Sequence, residues 1–173
     1  TGTGTAGDYS GNVAVTTAGT VTVDAGSSTD TYSQIGHGGE TSRADMSGTI
    51  NVNAGTGIDI LAGSSTDAYG QIGHGGQGTI GVLSDNVSAT TTSGDINVRA
   101  GGGQNAYAQI GNGGANADGT KSGTTTVSGV NVLVDSNTGA QAYAQIGAGG
   151  GFDGASGADG AITTATTVTA TGN

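Results

Sequence analysis

The chain has no cysteine, no proline and no tryptophan, and among its 173 residues it has one phenylalanine and one methionine. No disulfide framework is available to it, and a conventional core of large aliphatic and aromatic side chains is not expected. Charge is scarce too, at 9% of residues, and basic charge is scarcest: 3 Lys and Arg against 13 Asp and Glu, for a net −10. Nucleic-acid binding needs clustered cations to neutralise phosphates, and Arg43, Arg99 and Lys121 stand apart from one another. No apolar run approaches the roughly 18 residues of a membrane span, and no basic start with an apolar centre marks a signal peptide. The start at Thr1 without methionine reads as a processed product or a slice of a longer protein. What the chain has in excess is glycine, 38 residues of it.

The glycines are not scattered. A signature recurs four times, "DTYSQIGHGG" at 30–39, "DAYGQIGHGG" at 67–76, "NAYAQIGNGG" at 105–114 and "QAYAQIGAGG" at 141–150, with its tyrosines 37, 38 and 36 residues apart. A period of that size marks a stacked repeat array. We therefore read one domain over 1–173, with repeats at approximately 1–40, 41–77, 78–115 and 116–151 and a partial one at 152–173.

Eleven and nine residues before each tyrosine stand Val21 and Val23, Ile58 and Ile60, Ile96 and Val98, Val132 and Val134. All are β-branched and two apart, the pattern of a strand with one buried face. The residues between them, Thr22, Asp59, Asn97 and Leu133, should face outward, and Leu133 asks for a cover. A preceding strand is visible in "NVAV" (12–15) and "TINV" (49–52), with "VSATTT" (87–92) and "TTTV" (124–127) as its weaker counterparts. Three short strands with glycine corners, repeating every ~37 residues, bury little alone but pair copy on copy. The fold expected is all-β, a right-handed parallel β-helix (a β-solenoid) of about five rungs with one rung per repeat; two smaller coils per repeat is the rival count.

The signature supplies a third strand with two dissimilar faces. One carries small residues and Ile (Ser33 and Ile35, Gly70 and Ile72, Ala108 and Ile110, Ala144 and Ile146); the other carries Tyr32 and Gln34, Tyr69 and Gln71, Tyr107 and Gln109, Tyr143 and Gln145. The pattern leaves two assignments open. The small face fits the tighter interior, which puts Tyr and Gln outside as a stripe able to contact a partner. Stacked in register, aromatics and amides also form ladders without any chemistry.

Few residues suggest catalysis or metal binding. His37 and His74 share one place in adjacent repeats, but Asn112 and Ala148 follow there, so a polar corner residue is the simpler reading. The loop aspartates Asp24, Asp30, Asp45, Asp67, Asp118, Asp153 and Asp159 admit structural calcium, although neither a calcium nonapeptide nor an EF-hand loop occurs. No cofactor and no enzymatic site is expected: the outward series Thr22, Asp59, Asn97, Leu133 contains no adjacent carboxylates for glycoside chemistry. The same series lacks the unbroken threonines of an ice-binding face, which leaves ice binding a distant alternative.

Segments of the "AYAQIGNGG" type followed by a polar loop, and strands of the "SGTINV" type, resemble the repeats of very large bacterial exoproteins of the filamentous-haemagglutinin kind. The resemblance covers roughly 8–150, and its most specific part is Tyr-x-Gln-Ile-Gly at 32–36, 69–73, 107–111 and 143–147. It implies secretion, often by two-partner secretion, a long right-handed parallel β-helix, an extracellular or cell-surface location, and a role in adhesion. The partners expected are then a cell-surface or glycan ligand, or the chain itself, associating end to end or laterally into a fibre.

Overall fold

The computed structural model describes residues 7–150 and 160–172. All regular structure in them is strand. The first coil contains β1 (Tyr9–Ser10), β2 (Val13–Thr17), β3 (Thr20–Asp24) and β4 (Tyr32–Ile35); the second, β5 (Met46–Ser47), β6 (Ile50–Ala54), β7 (Gly57–Leu61) and β8 (Tyr69–Ile72). The third contains β9 (Val87–Thr91), β10 (Asp95–Arg99) and β11 (Ala108–Ile110); the fourth, β12 (Lys121–Gly129), β13 (Val132–Asp135) and β14 (Ala144–Ile146). A further strand, β15 (Ile162–Ala170), pairs onto β12.

Every pairing is parallel and joins a strand to its counterpart one coil away, in the orders β2-β6-β9-β12-β15, β3-β7-β10-β13 and β4-β8-β11-β14. The protein is a parallel β-solenoid of about four turns. Val21 pairs with Ile58, Ile58 with Ile96, and Ile96 with Val132, so one coil consumes one whole repeat and the two-coil count is excluded. The two weaker strand candidates are real: Val87 and Ala89 lie in register between Ile50 and Val52 on one side and Thr125 and Val127 on the other.

The aliphatic core follows from alternation. In β6 the inward residues Ile50, Val52 and Ala54 are buried while Asn51 and Asn53 are exposed. Val21, Val23, Ile58, Ile60, Ile96 and Val98 pack with Ile50, Val52, Val87, Ala89 and Val127 in one continuous cluster. Each fully buried Val or Ile contributes roughly 1.5–3 kcal/mol of burial free energy. Val132 and Val134 depart from the expected interior ladder: Val132 is partly buried and Val134 is 45% exposed. Their strand β13 is the outermost of its sheet: β10 pairs with it on one side, and among the described residues no further strand of that sheet lies on the other. Leu133 faces outward as expected and is 42% exposed among the described residues.

Candidate functional site

The signature strand is set by the residue two positions before each tyrosine. Asp30, Asp67, Asn105 and Gln141 all adopt φ near +60° (57°, 57°, 57° and 62°), a single left-handed residue that turns the chain into β4, β8, β11 and β14. Beyond the strand, the glycine corner folds back. At Gly73, with φ +154°, an added Cβ would overlap the Gly111 carbonyl oxygen of the next coil. At Gly76 it would lie 2.7 Å from the Tyr69 hydroxyl, so the missing side chain is the space the phenol fills.

This folding back buries both faces of the strand and overturns the outward stripe. The Ile face joins the aliphatic core through Ile72, Ala108 and Ile110. Tyr69, Tyr107, Gln71 and Gln109 are also fully buried, on the other side, where Tyr69 and Tyr107 pack with Ala115 and Tyr143 in a second cluster. Gln34, Tyr143 and Gln145 are partly buried, and Tyr32, in the outermost strand of its sheet, is 48% exposed. The four rings stack nearly parallel, with centroids 5.1, 4.6 and 5.0 Å apart from Tyr32 to Tyr143.

The glutamines earn burial by feeding carbonyls that the corner leaves pointing inward. Gln71 Nε2 donates to the carbonyls of His74 (3.2 Å), Gly111 (3.2 Å) and Gly113 (3.1 Å), the first in its own corner and the others in the next. Gln34 does the same with His37, Gly73 and Gly75, and Gln109 with Gly147 and Gly149. Each amide thus clamps two coils together. The phenols are less well served: the hydroxyls of Tyr69 and Tyr107 are buried with no hydrogen bond of normal geometry, although the backbone N–H groups of Gln77 and Ala115 lie beside them. Burial first, and then the neighbouring phenols, push both phenol pKa values far above their ordinary range.

The histidines form a third ladder. Their rings stack at 5.1 Å and 4°. His37 Nε2 donates to Gly11 O at 2.9 Å and His74 Nε2 to Gly48 O at 2.7 Å, while His74 Nδ1 accepts the backbone N–H of His37 at 3.2 Å. Both nitrogens of His74 are therefore committed, which removes it as a metal ligand. Asn112 continues the pattern: its Oδ1 accepts the His74 N–H at 3.0 Å, and its Nδ2 donates to Asp85 O and Ser122 O.

The loop acids are likewise joints between coils. Asp45 accepts the Val82 N–H, Asp85 the Gly48 N–H, and Asp67 takes Gln77 Nε2 and Asn105 Nδ2, all within 2.7–2.8 Å. Asp24 caps its own turn through the Gly26 N–H. Among the described residues no three His, Asp or Glu side chains converge as metal ligands; Asp153 and Asp159 lie outside them.

One outward feature escaped the sequence reading. Thr20, Thr56, Asp59, Ser93, Asp95 and Asn97 line a shallow open polar groove of about 320 Å³ across β3, β7 and β10. Asp95 pairs with Gly57 and Asn97 with Asp59, so the two carboxylates share one face on adjacent strands, two residues out of line. Aligning the column Thr20, Gly57, Asp95, Asn131 beside the column Thr22, Asp59, Asn97, Leu133 would have exposed them. Here Asp59 accepts Asn97 Nδ2 at 2.8 Å and Asp95 accepts Asn131 Nδ2 at 2.9 Å, while the hydroxyls of Thr20 and Thr56 meet at 3.0 Å.

No protein-family model, curated protein or solved structure matches this chain.

Proposed function

We propose that the chain is a non-enzymatic structural and adhesive segment of a large secreted repeat protein, working outside the cell or at its surface. The observation that carries this reading is where the repeated residues go. The tyrosines of all four signatures stack on one another, and the glutamines of the first three clamp each coil to the next while Gln145 closes its own corner through the Ala148 carbonyl, so the repeat encodes a stiff rod rather than a reactive centre. With that stripe inside, contact falls to the outer faces, and the groove of hydroxyl, amide and carboxylate groups suits the hydrogen-bonding surface of a glycan. The net charge of −10 weighs against nucleic acid and anionic lipid.

The test is binding of the purified chain to intact bacterial and host cells and to an immobilised glycan panel, for wild type, Asp59→Lys with Asp95→Lys, and Ser88→Lys on a different sheet. Adhesion lost in the groove variant and kept in Ser88→Lys supports the reading. No binding to any surface, or equal loss in both variants, defeats it.

A second reading, a subunit of a self-assembling fibre, is favoured by the outermost strands β2, β3 and β4 at one end and β13, β14 and β15 at the other, each with one edge unpaired among the described residues, and by the exposed Val134 and Val168. Electron microscopy over a concentration series separates the two: filaments that lengthen with concentration support the fibre, and single short rods at every concentration refute it.

A further inference from the structure

The histidine corner is built so that one protonation state fits it. The His37 N–H can only donate, so His74 Nδ1 must present its lone pair; the Gly48 carbonyl can only accept, so the proton of His74 must sit on Nε2. The ring is fully buried, and it joins three pieces of chain: the corner of its own coil, the corner of the preceding coil through His37, and the connection between β5 and β6 through Gly48. A proton added to Nδ1 would face the His37 N–H head on at a heavy-atom separation of 3.2 Å. The titratable groups that face the ring are His37, stacked on it at 5.1 Å, and Asp85, whose Oδ2 is occupied by the Gly48 N–H at 2.7 Å. A charged His37 opposes a second charge on His74, whereas the Asp85 carboxylate offers a protonated ring a place to turn.

We propose that His74 is an acid-released clip: protonation at Nδ1 expels the imidazole from its place between coils and opens the corner that joins the first coil to the second. The next corner is closed by Asn112, which supplies the same acceptor and donor from an amide that does not titrate, and it stays shut. Burial, which lowers the His74 pKa, places the release below the ordinary histidine range near 6.5. The sign follows: the unfolded or opened chain binds a proton that the closed corner refuses, so the clip is fully effective above that range and is lost as pH falls below it.

The experiment is amide exchange resolved by residue, corrected for intrinsic rates, at about pH 7.5 and about pH 5. In wild type the His37 and Gly48 amides should lose protection by about tenfold or more on acidification, while the His74 amide, held by Asn112, keeps its protection. His74→Asn copies the arrangement one coil along and should hold the His37 amide equally at both values. Unchanged protection of His37 in wild type overturns the proposal, as does an equal loss in His74→Asn. Should His74→Asn fail to fold, imidazole nitrogen shifts of the wild type decide instead. The ring must hold its proton on Nε2 at neutral pH and titrate together with the loss of His37 protection; titration without that loss is a refutation.

Discussion

The rings of Tyr69 and Tyr107 lie 4.6 Å apart at an interplanar angle of 5°, the closest step of the tyrosine stack, and neither hydroxyl makes a hydrogen bond of normal geometry. The ring, not the hydroxyl, is what the structure uses. Tyr107→Phe keeps the stack and removes a buried unsatisfied oxygen, so it should change stability by less than about 1 kcal/mol and in the stabilising direction. Tyr107→Ala, which empties the site, should cost about 3–5 kcal/mol. Urea unfolding of the two variants checks the contrast; a loss for Tyr107→Phe comparable to that for Tyr107→Ala would mean that the hydroxyl is bonded after all.

The same phenols make the fold alkali-sensitive. Burial raises the Tyr69 and Tyr107 pKa values in the folded chain, while in the unfolded chain they ionise near 10. A raised folded pKa means the contribution is complete below about pH 10 and drains away above it, with a slope approaching 1.4 kcal/mol per pH unit for each tyrosine. Denaturation midpoints between about pH 9 and 11 should fall accordingly, and Tyr107→Phe should flatten the slope. A slope unchanged by Tyr107→Phe would dissociate the alkaline loss from this ring.

The period, the Val and Ile ladder and the rung count were legible because in-register stacking repeats the same requirement at the same spacing, and Ile58 needs Ile96 above it as it needs Val21 below. The placement of Tyr and Gln was not. Alternation reveals which face is inside only when the other face meets water, and β8 is buried at all four residues. Judged by size, Ala and Ile belong inside; judged by unsatisfied carbonyls in the glycine corner, Gln71 does as well, but those carbonyls are invisible until the corner is built. The drift from His74 to Asn112 concealed a function for a similar reason, since the two side chains look unlike and yet present the same acceptor and donor. The left-handed residues did leave a trace, in Asp30, Asp67 and Asn105, types that tolerate φ > 0.

Gln71→Glu should be far worse than its near-isosteric change implies. It replaces a donor to three carbonyls with a carboxylate facing the same three oxygens, and at neutral pH the loss should reach about 3 kcal/mol or more. Burial and the carbonyl dipoles both disfavour the charged form, so the folded pKa of the new carboxyl rises above its unfolded value near 4.3. Stability relative to wild type at the same pH should therefore recover as pH falls and the acid becomes a donor. Paired urea titrations at neutral and acidic pH check this, and a deficit that does not depend on pH would show that the carboxylate escapes to solvent.

Thr41 occupies the left-handed region at φ +54°, where its counterparts one and two coils on are Gly78 at +64° and Asn116 at +54°. For a β-branched residue this conformation carries a steric penalty of about 1–2 kcal/mol. The Thr41 side chain is exposed, and the bond that holds the turn, from its N–H to the Gln77 carbonyl at 2.8 Å, belongs to the backbone. Thr41→Gly keeps that bond and relieves the strain, at the expense of greater freedom in the unfolded chain worth about 0.5–1 kcal/mol. The net expectation is a gain of up to about 1 kcal/mol. Gly78→Ala is the converse: the new Cβ meets Thr41 Cγ2 at an ordinary 3.6 Å, so space is available and any loss must come from the backbone angle. Opposite shifts in the two midpoints would identify φ as the cause, and a loss of stability in Thr41→Gly would rule out strain as the quantity that matters at this corner.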